Sequence, residues 1–457
     1  MRVTIIEATM QSVAPRIYKD LPDADYTFVP PVNEAVRATK KGFITARNLG
    51  SVNDTPSILF DIGESETTLL DLKQSPIWID YRVESRDDAA ADWGRVNHQA
   101  GESPDLTIVN NILHSMFSQV DILINEALQS RTTNLYQYQA YLMNLLNYSR
   151  EAKKSWGRAI GFAMDTTAKF DSLHDQNAGG YARRARIYNG RTDTVTGTLF
   201  IPVMQDRALL PTGTKVTLSL TKGPVEFLLK HKNPAKEYRI NILNAQIQVK
   251  RVTPDDLYFA KINQQLARPV GGFINLDYVH PCYKTLQPLG KREYIFEILN
   301  GKVPNELVIA FIEDDAYNGH NTMNPFNFKH HDLQSIQVQV DDELYPTDAL
   351  KMDYAENSYE QAYDHLYRNM GQYGKQTTCG LRYGDMVGGS CIYVFNLRPN
   401  DTDFGSSQPP GRTGVVSLKL RFANVVDTTI NAIVLRAYNS QIYIDQRRNF
   451  TGMLLTH

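Results

Sequence analysis

Apolar and polar residues alternate with a period of two along much of the chain. In "IWIDYRV", Ile77, Ile79, Tyr81 and Val83 share one face while Trp78, Asp80 and Arg82 share the other, the pattern of a half-buried strand. "KVTLSL" repeats it with Val216, Leu218 and Leu220. "RINILNAQIQVKRV" carries Ile240 and Ile242, then Ala245, Ile247 and Val249, and the change of phase near Leu243 and Asn244 predicts a bulge or short break. The second half continues in "ELVIAFIED", "QSIQVQVDDELYP", "CIYVFNL", "VVSLKLRFANV" and "NAIVLRAYNSQIYID", separated by turn clusters such as "DAYNGHN", "LNGKVPN" and "RPNDTDFGSSQPPGRTG". Short strands with one buried face and polar turns predict an all-β chain of sandwiches or barrels.

Helical periodicity is rare and therefore a landmark. "NLYQYQAYLMNLLNYS" places Leu135, Tyr138, Tyr141, Leu142, Leu145 and Leu146 on one face. "NSYEQAYDHLYRNMG" does so with Tyr359, Tyr363, Leu366, Tyr367 and Met370, ending at Gly371 as a C-terminal cap. "TPDDLYFAKINQQLAR" offers Thr253 as N-cap, Pro254 at the first helical position and Asp255 and Asp256 in the first turn. Near the midpoint, with a strand-rich block on either side, it reads as a connector. The domain organisation expected is an N-terminal arm over 1–19, a first β domain over 20–252, the connector over 253–269, a second β domain over 270–450 and a tail over 451–457. The 457-residue length suits two domains of roughly 200 residues with cores large enough to need no metal or disulfide staple.

Charge and cysteine content narrow the function classes. A net charge of -2 provides no global basic field for nucleic acid. Cys282, Cys379 and Cys391 are too few for a secreted disulfide framework and predict reduced thiols. The opening "MRVTIIEATMQ" lacks a secretory apolar core and no apolar run reaches 18 residues, so the expectation is a soluble chain made inside the cell, without a membrane span. The Asn-x-Ser/Thr triplets at Asn53, Asn147, Asn400 and Asn449 then read as chance matches.

Candidate chemistry is thin. "VGGSCIY" leads into a strand rather than a helix and makes no nucleophile elbow, and no phosphate-cradling glycine motif is present. His280 with Cys282, and His330 and His331 with Asp332, come nearest to metal spacing, but adjacent histidines on a strand face opposite ways and Cys282 lacks a second cysteine nearby. Glu313, Asp314 and Asp315, and Asp341, Asp342 and Glu343, could supply a glycosidase-like pair, yet each cluster sits where a strand meets a turn, the usual place for solvated carboxylates. The expectation is no enzyme and no cofactor. "YARRARIYNGR" interleaves Arg183, Arg184, Arg186 and Arg191 with Tyr181 and Tyr188, a candidate nucleic-acid or inner-surface contact, or else an ion-paired face. The 25 tyrosines favour a protein whose work is contact with other proteins.

"VNNILHSMFSQVDILINEALQS" followed by "YQYQAYLMNLLNYSREAKKSW" resembles the corresponding segment of the hexon-like major capsid proteins of Maverick/Polinton elements and adintovirus-like viruses. "ELVIAFIEDDAYNGHNTMNPFNFKHHDLQSIQVQVDDELYP" and "TTINAIVLRAYNSQIYIDQRRNF" are similar to two further blocks of that family, collinear with the first across most of residues 108 to 450; the N-terminal hundred residues match only in outline. The resemblance implies two consecutive eight-stranded jelly rolls (a double jelly roll) with short helices in the inter-strand loops, and a homotrimer that forms a pseudo-hexagonal capsomer. It implies partnership with neighbouring capsomers and with penton or minor capsid proteins, and indirect contact with packaged DNA. The place implied is the virion capsid, made in host cytoplasm and assembled in cytoplasm or nucleus. His114 becomes a wall residue. Tyr138, Tyr141, Leu142, Tyr359, Tyr363 and Tyr367, on apolar stripes within polar loop sequence, are the candidate intratrimer contacts. The rivals are a single-jelly-roll penton or minor capsid protein, and a carbohydrate-binding β-sandwich protein.

Overall fold

The computed structural model describes residues 38–47, 52–86, 92–96, 106–173, 176–206, 209–233, 236–267, 271–398 and 412–452. The expected arm over 1–19 lies outside the described residues, as do 453–457.

Eight principal strands come first: β1 (Ala38–Arg47), β2 (Ser57–Ile62), β3 (Ile77–Arg86), β4 (Phe117–Ile124), β5 (Ala127–Arg131), β6 (Asp193–Gly197), β7 (Val216–Lys222) and β8 (Glu237–Pro254). One sheet runs β1-β8-β3-β6 and the other β2-β7-β4-β5, with every principal pair antiparallel. A second set follows: β9 (Gly272–Leu286), β10 (Glu293–Lys302), β11 (Glu306–Glu313), β12 (Leu333–Val340), β13 (Glu343–Lys351), β14 (Ile392–Asn396), β15 (Thr413–Phe422) and β16 (Ile430–Ile444). Its sheets run β9-β16-β11-β14 and β10-β15-β12-β13, so in both halves one sheet has the order first, eighth, third, sixth and the other second, seventh, fourth, fifth. That strand order, repeated in one chain, is a double jelly roll.

Alternation places the cores. Ile77, Ile79, Tyr81 and Val83 are all fully buried, and Val216, Leu218 and Leu220 face them from the opposite sheet. The predicted change of phase in β8 is a register shift between Ile242 and Asn244 against β3, which keeps Ala245, Ile247 and Val249 on the buried face.

The connector begins later than predicted. Pairing of Ala38 with Pro254 extends β8 through Pro254, so neither Thr253 nor Pro254 starts the helix; Asp255 is the N-cap and the helix is Asp256–Leu266. The ladder with β1 satisfies the backbone up to that point.

A larger correction concerns the second roll. β11, β14 and β16 do not have one buried face: the six residues Leu307 to Ile312 are all buried. Leu307, Ile309 and Phe311 enter the second roll's own core with Tyr393, Phe395, Ala432 and Val434. Val308, Ala310 and Ile312, with Ile392, Val394, Ile433 and Leu435, join the core continuous with the first roll. This sheet is therefore a middle layer between the two rolls.

Phe311→Ala and Ile312→Ala accordingly test its two faces. Each is expected to cost stability, about 3 to 5 kcal/mol for the former and 2 to 5 for the latter in urea unfolding. Only Ile312→Ala is expected to make the connector at 256–266 a preferred site in limited proteolysis, because only that face ties roll to roll.

Candidate functional site

Three inter-strand insertions meet where the rolls join. The first roll contributes the segment between β5 and β6, which includes helices α1 (Tyr136–Asn147) and α2 (Ala178–Ile187). The second contributes the segment between β11 and β12, and that between β13 and β14 with helix 360–369. α1 forms because its tyrosine and leucine stripe has an apolar surface to cover: Tyr138, Tyr141, Leu142 and Leu145 are all buried. Tyr141 stacks flat on Phe326 with ring centroids 3.9 Å apart, and Tyr138 meets Phe326 and Phe227 edge-on at 5.8 and 5.7 Å. Each such pair contributes about 0.5 to 1.5 kcal/mol beyond the area it buries.

Polar groups close the junction around this aromatic centre. Lys153 Nζ donates to Leu145 O of its own insertion at 2.6 Å and to Cys379 O of the second roll at 2.8 Å. Lys230 Nζ likewise donates to Glu226 O at 2.9 Å and, across the junction, to His320 O at 2.8 Å. Asp171 accepts from the Asn324 N–H and Asn327 Nδ2, both at 2.7 Å. Thr167 donates to Asp385, which also binds Arg382. Burial holds the Lys153 ammonium down to about 8 and that of Lys230 to about 7.

The residues singled out from sequence sit in and around this junction. Tyr138, Tyr141, Leu142 and Tyr359 are at most 2 % exposed within the single chain. Tyr359 stacks on Tyr383 at 4.1 Å, while the Tyr363 and Tyr367 hydroxyls both donate to Leu381 O. The apolar stripes thus join roll to roll and helix to roll. Arg183 is buried, paired with Asp165 at 2.6 Å and donating to Ile108 O and Ala163 O. Arg186 pairs with Asp193 and donates to Arg158 O and Thr194 O. Arg184 lies over the Tyr188 ring. The basic run is α2, a helix the arginine spacing did not reveal, and two of its three central arginines serve the fold.

Other candidates are engaged locally. Glu313 pairs with Lys329, Asp314 accepts from Asn431, Asp341 accepts from the Val415 N–H, and Glu343 pairs with Arg412. His280 Nδ1 meets Arg436 and His330 Nδ1 meets Asp332. His114 Nδ1 sits 2.9 Å from the Tyr136 hydroxyl, which itself accepts from the Phe200 N–H, so the hydroxyl proton points to His114. Burial pushes that imidazole down to about 3, and it packs edge-on against Phe200 as a neutral wall residue.

No family model matches the chain. An uncharacterized protein of Caenorhabditis elegans is 22% identical over 375 residues, which cover 79% of this chain and 85% of that protein. Among solved structures, a chain of the Sputnik virophage superposes with a TM-score of 0.60 at 12% identity, covering 99% of this chain and 93% of its own. The Faustovirus major capsid protein gives 0.54 at 9% identity, covering 91% of this chain and 92% of that one. The mavirus major capsid protein gives 0.51 at 10%, with 97% of each chain covered. The shared fold is the double jelly roll. At these identities the likeness speaks for the fold, and it spans both rolls of this chain rather than one.

The junction lysines set a pH dependence. Their folded values lie below the usual lysine value of 10.5, so the unfolded chain holds more protons between them. Stability is fully present above 10.5 and falls as pH drops through about 8 for Lys153 and about 7 for Lys230. Lys230→Met is expected to flatten the unfolding free energy over that range by a slope of about 1.4 kcal/mol per pH unit relative to wild type.

Proposed function

We propose that this chain is a major capsid protein whose homotrimers form pseudo-hexagonal capsomers tiling an icosahedral shell. The reading rests on one observation, the jelly-roll strand order occurring twice in one chain, with one sheet of the second roll buried against the first roll's side of the molecule. Three copies of such a two-roll unit present six similar barrels around an axis, which is the symmetry hexagonal tiling needs. The extent of the likeness to major capsid proteins, over both rolls, supports it against a single-roll penton. An origin in Maverick/Polinton elements or adintovirus-like viruses is part of the proposal and follows the sequence blocks described above. Localisation in a virion capsid, partnership with penton proteins and the absence of an enzymatic role belong to the same reading.

In this proposal sheet ladders give rigidity and the insertions give contact. The buried tyrosine stripes hold each subunit together, and lateral contact passes to exposed aromatics carried by the same insertions: Trp156, Tyr181 and Tyr373, which are 42 to 61% exposed. A stable lateral interface buries roughly 1,600 Å².

Light scattering of the purified protein is expected to give three times 51.8 kDa, with hexagonal outlines by negative stain. A protein that stays monomeric at high concentration overturns the capsomer. Trp156→Ala with Tyr181→Ala and Tyr373→Ala is expected to shift the trimer toward monomer at least tenfold while leaving the melting temperature of the monomer within a few degrees, since exposed positions contribute little to the fold.

A further inference from the structure

A concave cavity of about 500 Å³ opens between the helix Arg150–Lys154 and α2. Arg150, Lys153, Lys154, Arg158, Arg183 and Arg186 line it, and no aspartate or glutamate does. Its floor carries Phe162 and Met164. Three of the cations are neutralised from outside the cavity: Arg183 by Asp165, Arg186 by Asp193 and Lys154 by Glu151. Arg150, Lys153 and Arg158 have no carboxylate within ion-pair distance among the described residues. Arg150 and Lys153 lie three residues apart on one helix, on neighbouring positions of one face, where like charges repel. The Arg150 Nε is buried without a hydrogen-bond partner among the described residues, and unlike the buried His114 Nε2 it belongs to a side chain that lines the cavity, where a ligand oxygen can reach it. Arg150 also lines the adjoining cavity, of about 250 Å³, where Asp165 and Asp385 balance Arg382, so the carboxylate-free lining belongs to the larger cavity alone.

We propose that this cavity binds a small molecule bearing two or three linked phosphoryl groups, such as a nucleoside triphosphate or a short inorganic polyphosphate. Cation count, shape and volume agree on that class. Two arginines without a carboxylate, beside the ammonium of Lys153 that is held by the Leu145 and Cys379 carbonyls, match a di- or triphosphate rather than a single carboxylate. Guanidinium groups bind phosphoryl oxygens in a two-pronged fashion, and Arg150 and Arg158 provide two such groups from separate elements, the helix Arg150–Lys154 and the turn Trp156–Arg158. The volume falls within the usual range of small-ligand sites, and the apolar floor gives a planar base or sugar a surface to cover. A nucleic-acid strand is disfavoured: the α2 arginines that would track a backbone, Arg183 and Arg186, are held by Asp165 and Asp193. The bound anion closes the charge at a point where the first roll's insertion, through Lys153, holds Cys379 of the second. The site therefore links ligand occupancy to the roll junction, and this holds whether or not the chain builds a capsomer.

The test is isothermal titration of the purified full-length protein with sodium tripolyphosphate and with ATP at low ionic strength, paired with thermal melts. The expected result is saturable binding of one ligand per chain and a raised melting temperature for both. Arg150→Gln with Arg158→Gln is expected to weaken binding at least tenfold, while its ligand-free melting temperature equals or exceeds that of wild type because a repulsion has been removed. Arg191→Gln, which removes an exposed charge outside the cavity, is expected to leave affinity unchanged within twofold. Should the double variant fail to fold, Arg158→Glu alters an exposed side chain and carries the same expectation of weakened binding. Lack of saturation at millimolar ligand, equal loss in Arg191→Gln, or binding of a single-stranded oligonucleotide that tripolyphosphate does not displace overturns the proposal. A protein that binds tripolyphosphate as a monomer sustains the site and sinks the capsomer; a trimer that binds nothing does the reverse.

Discussion

The arrangement of the chain depends on a sheet buried on both faces. β9-β16-β11-β14 is at once half of the second roll's sandwich and the surface on which the first roll's side of the molecule packs. Alternate side chains along one strand serve two cores, Phe311 inward and Ile312 toward the other roll. Neither core can loosen without moving the backbone that supports the other. Water cannot reach the middle strands from either face, so their ladder hydrogen bonds face no competition from solvent.

The insertions complete what the sheet begins. Jelly-roll strands leave long connections between the fifth and sixth strands, and in the first roll that connection carries α1, whose stripe is too apolar to stay exposed. Phe326 and Phe328 from the second roll cover it, with Tyr141 and Phe326 in flat contact. Around them the junction uses carbonyl oxygens and amide groups more than ion pairs, so lysines such as Lys230 are buried without a carboxylate in direct contact and are easily deprotonated. Capping the same insertion, Arg183 is anchored by Asp165 and two carbonyls, which fixes α2 beside the basic cavity.

Much of this architecture was legible in the residue pattern because the pleat has a period of two wherever one face is wet. The bulge in β8 showed itself as a slip from Ile242 to Ala245, and Gly371, at φ 62°, ends the helix 360–369 as its position suggested. The candidate sites were less legible. The tyrosine stripes announced a partner surface without saying whose, since an apolar stripe looks the same whether its cover comes from another chain or from residue 326. The arginine run gave no sign of which charges Asp165 and Asp193 would neutralise, because those partners come from other turns of the insertion or from β6.

The sequence by itself determined the all-β class, the two strand-rich halves with a helix between them and the position of most strands, since local alternation and turn residues act over a few neighbours. The run "LVIAFI", taken with the alternating strands around it, predicts one buried face, and the second buried face follows only from what packs there in the folded chain. Only the tertiary structure decided that the second roll's sheet is buried on both faces, that Tyr138 and Tyr141 are internal, and that Arg150, Lys153 and Arg158 converge on one cavity. Those outcomes depend on contacts between residues far apart in the chain, and the free energy of such contacts depends on shape and solvent exclusion that exist only once the chain has closed on itself.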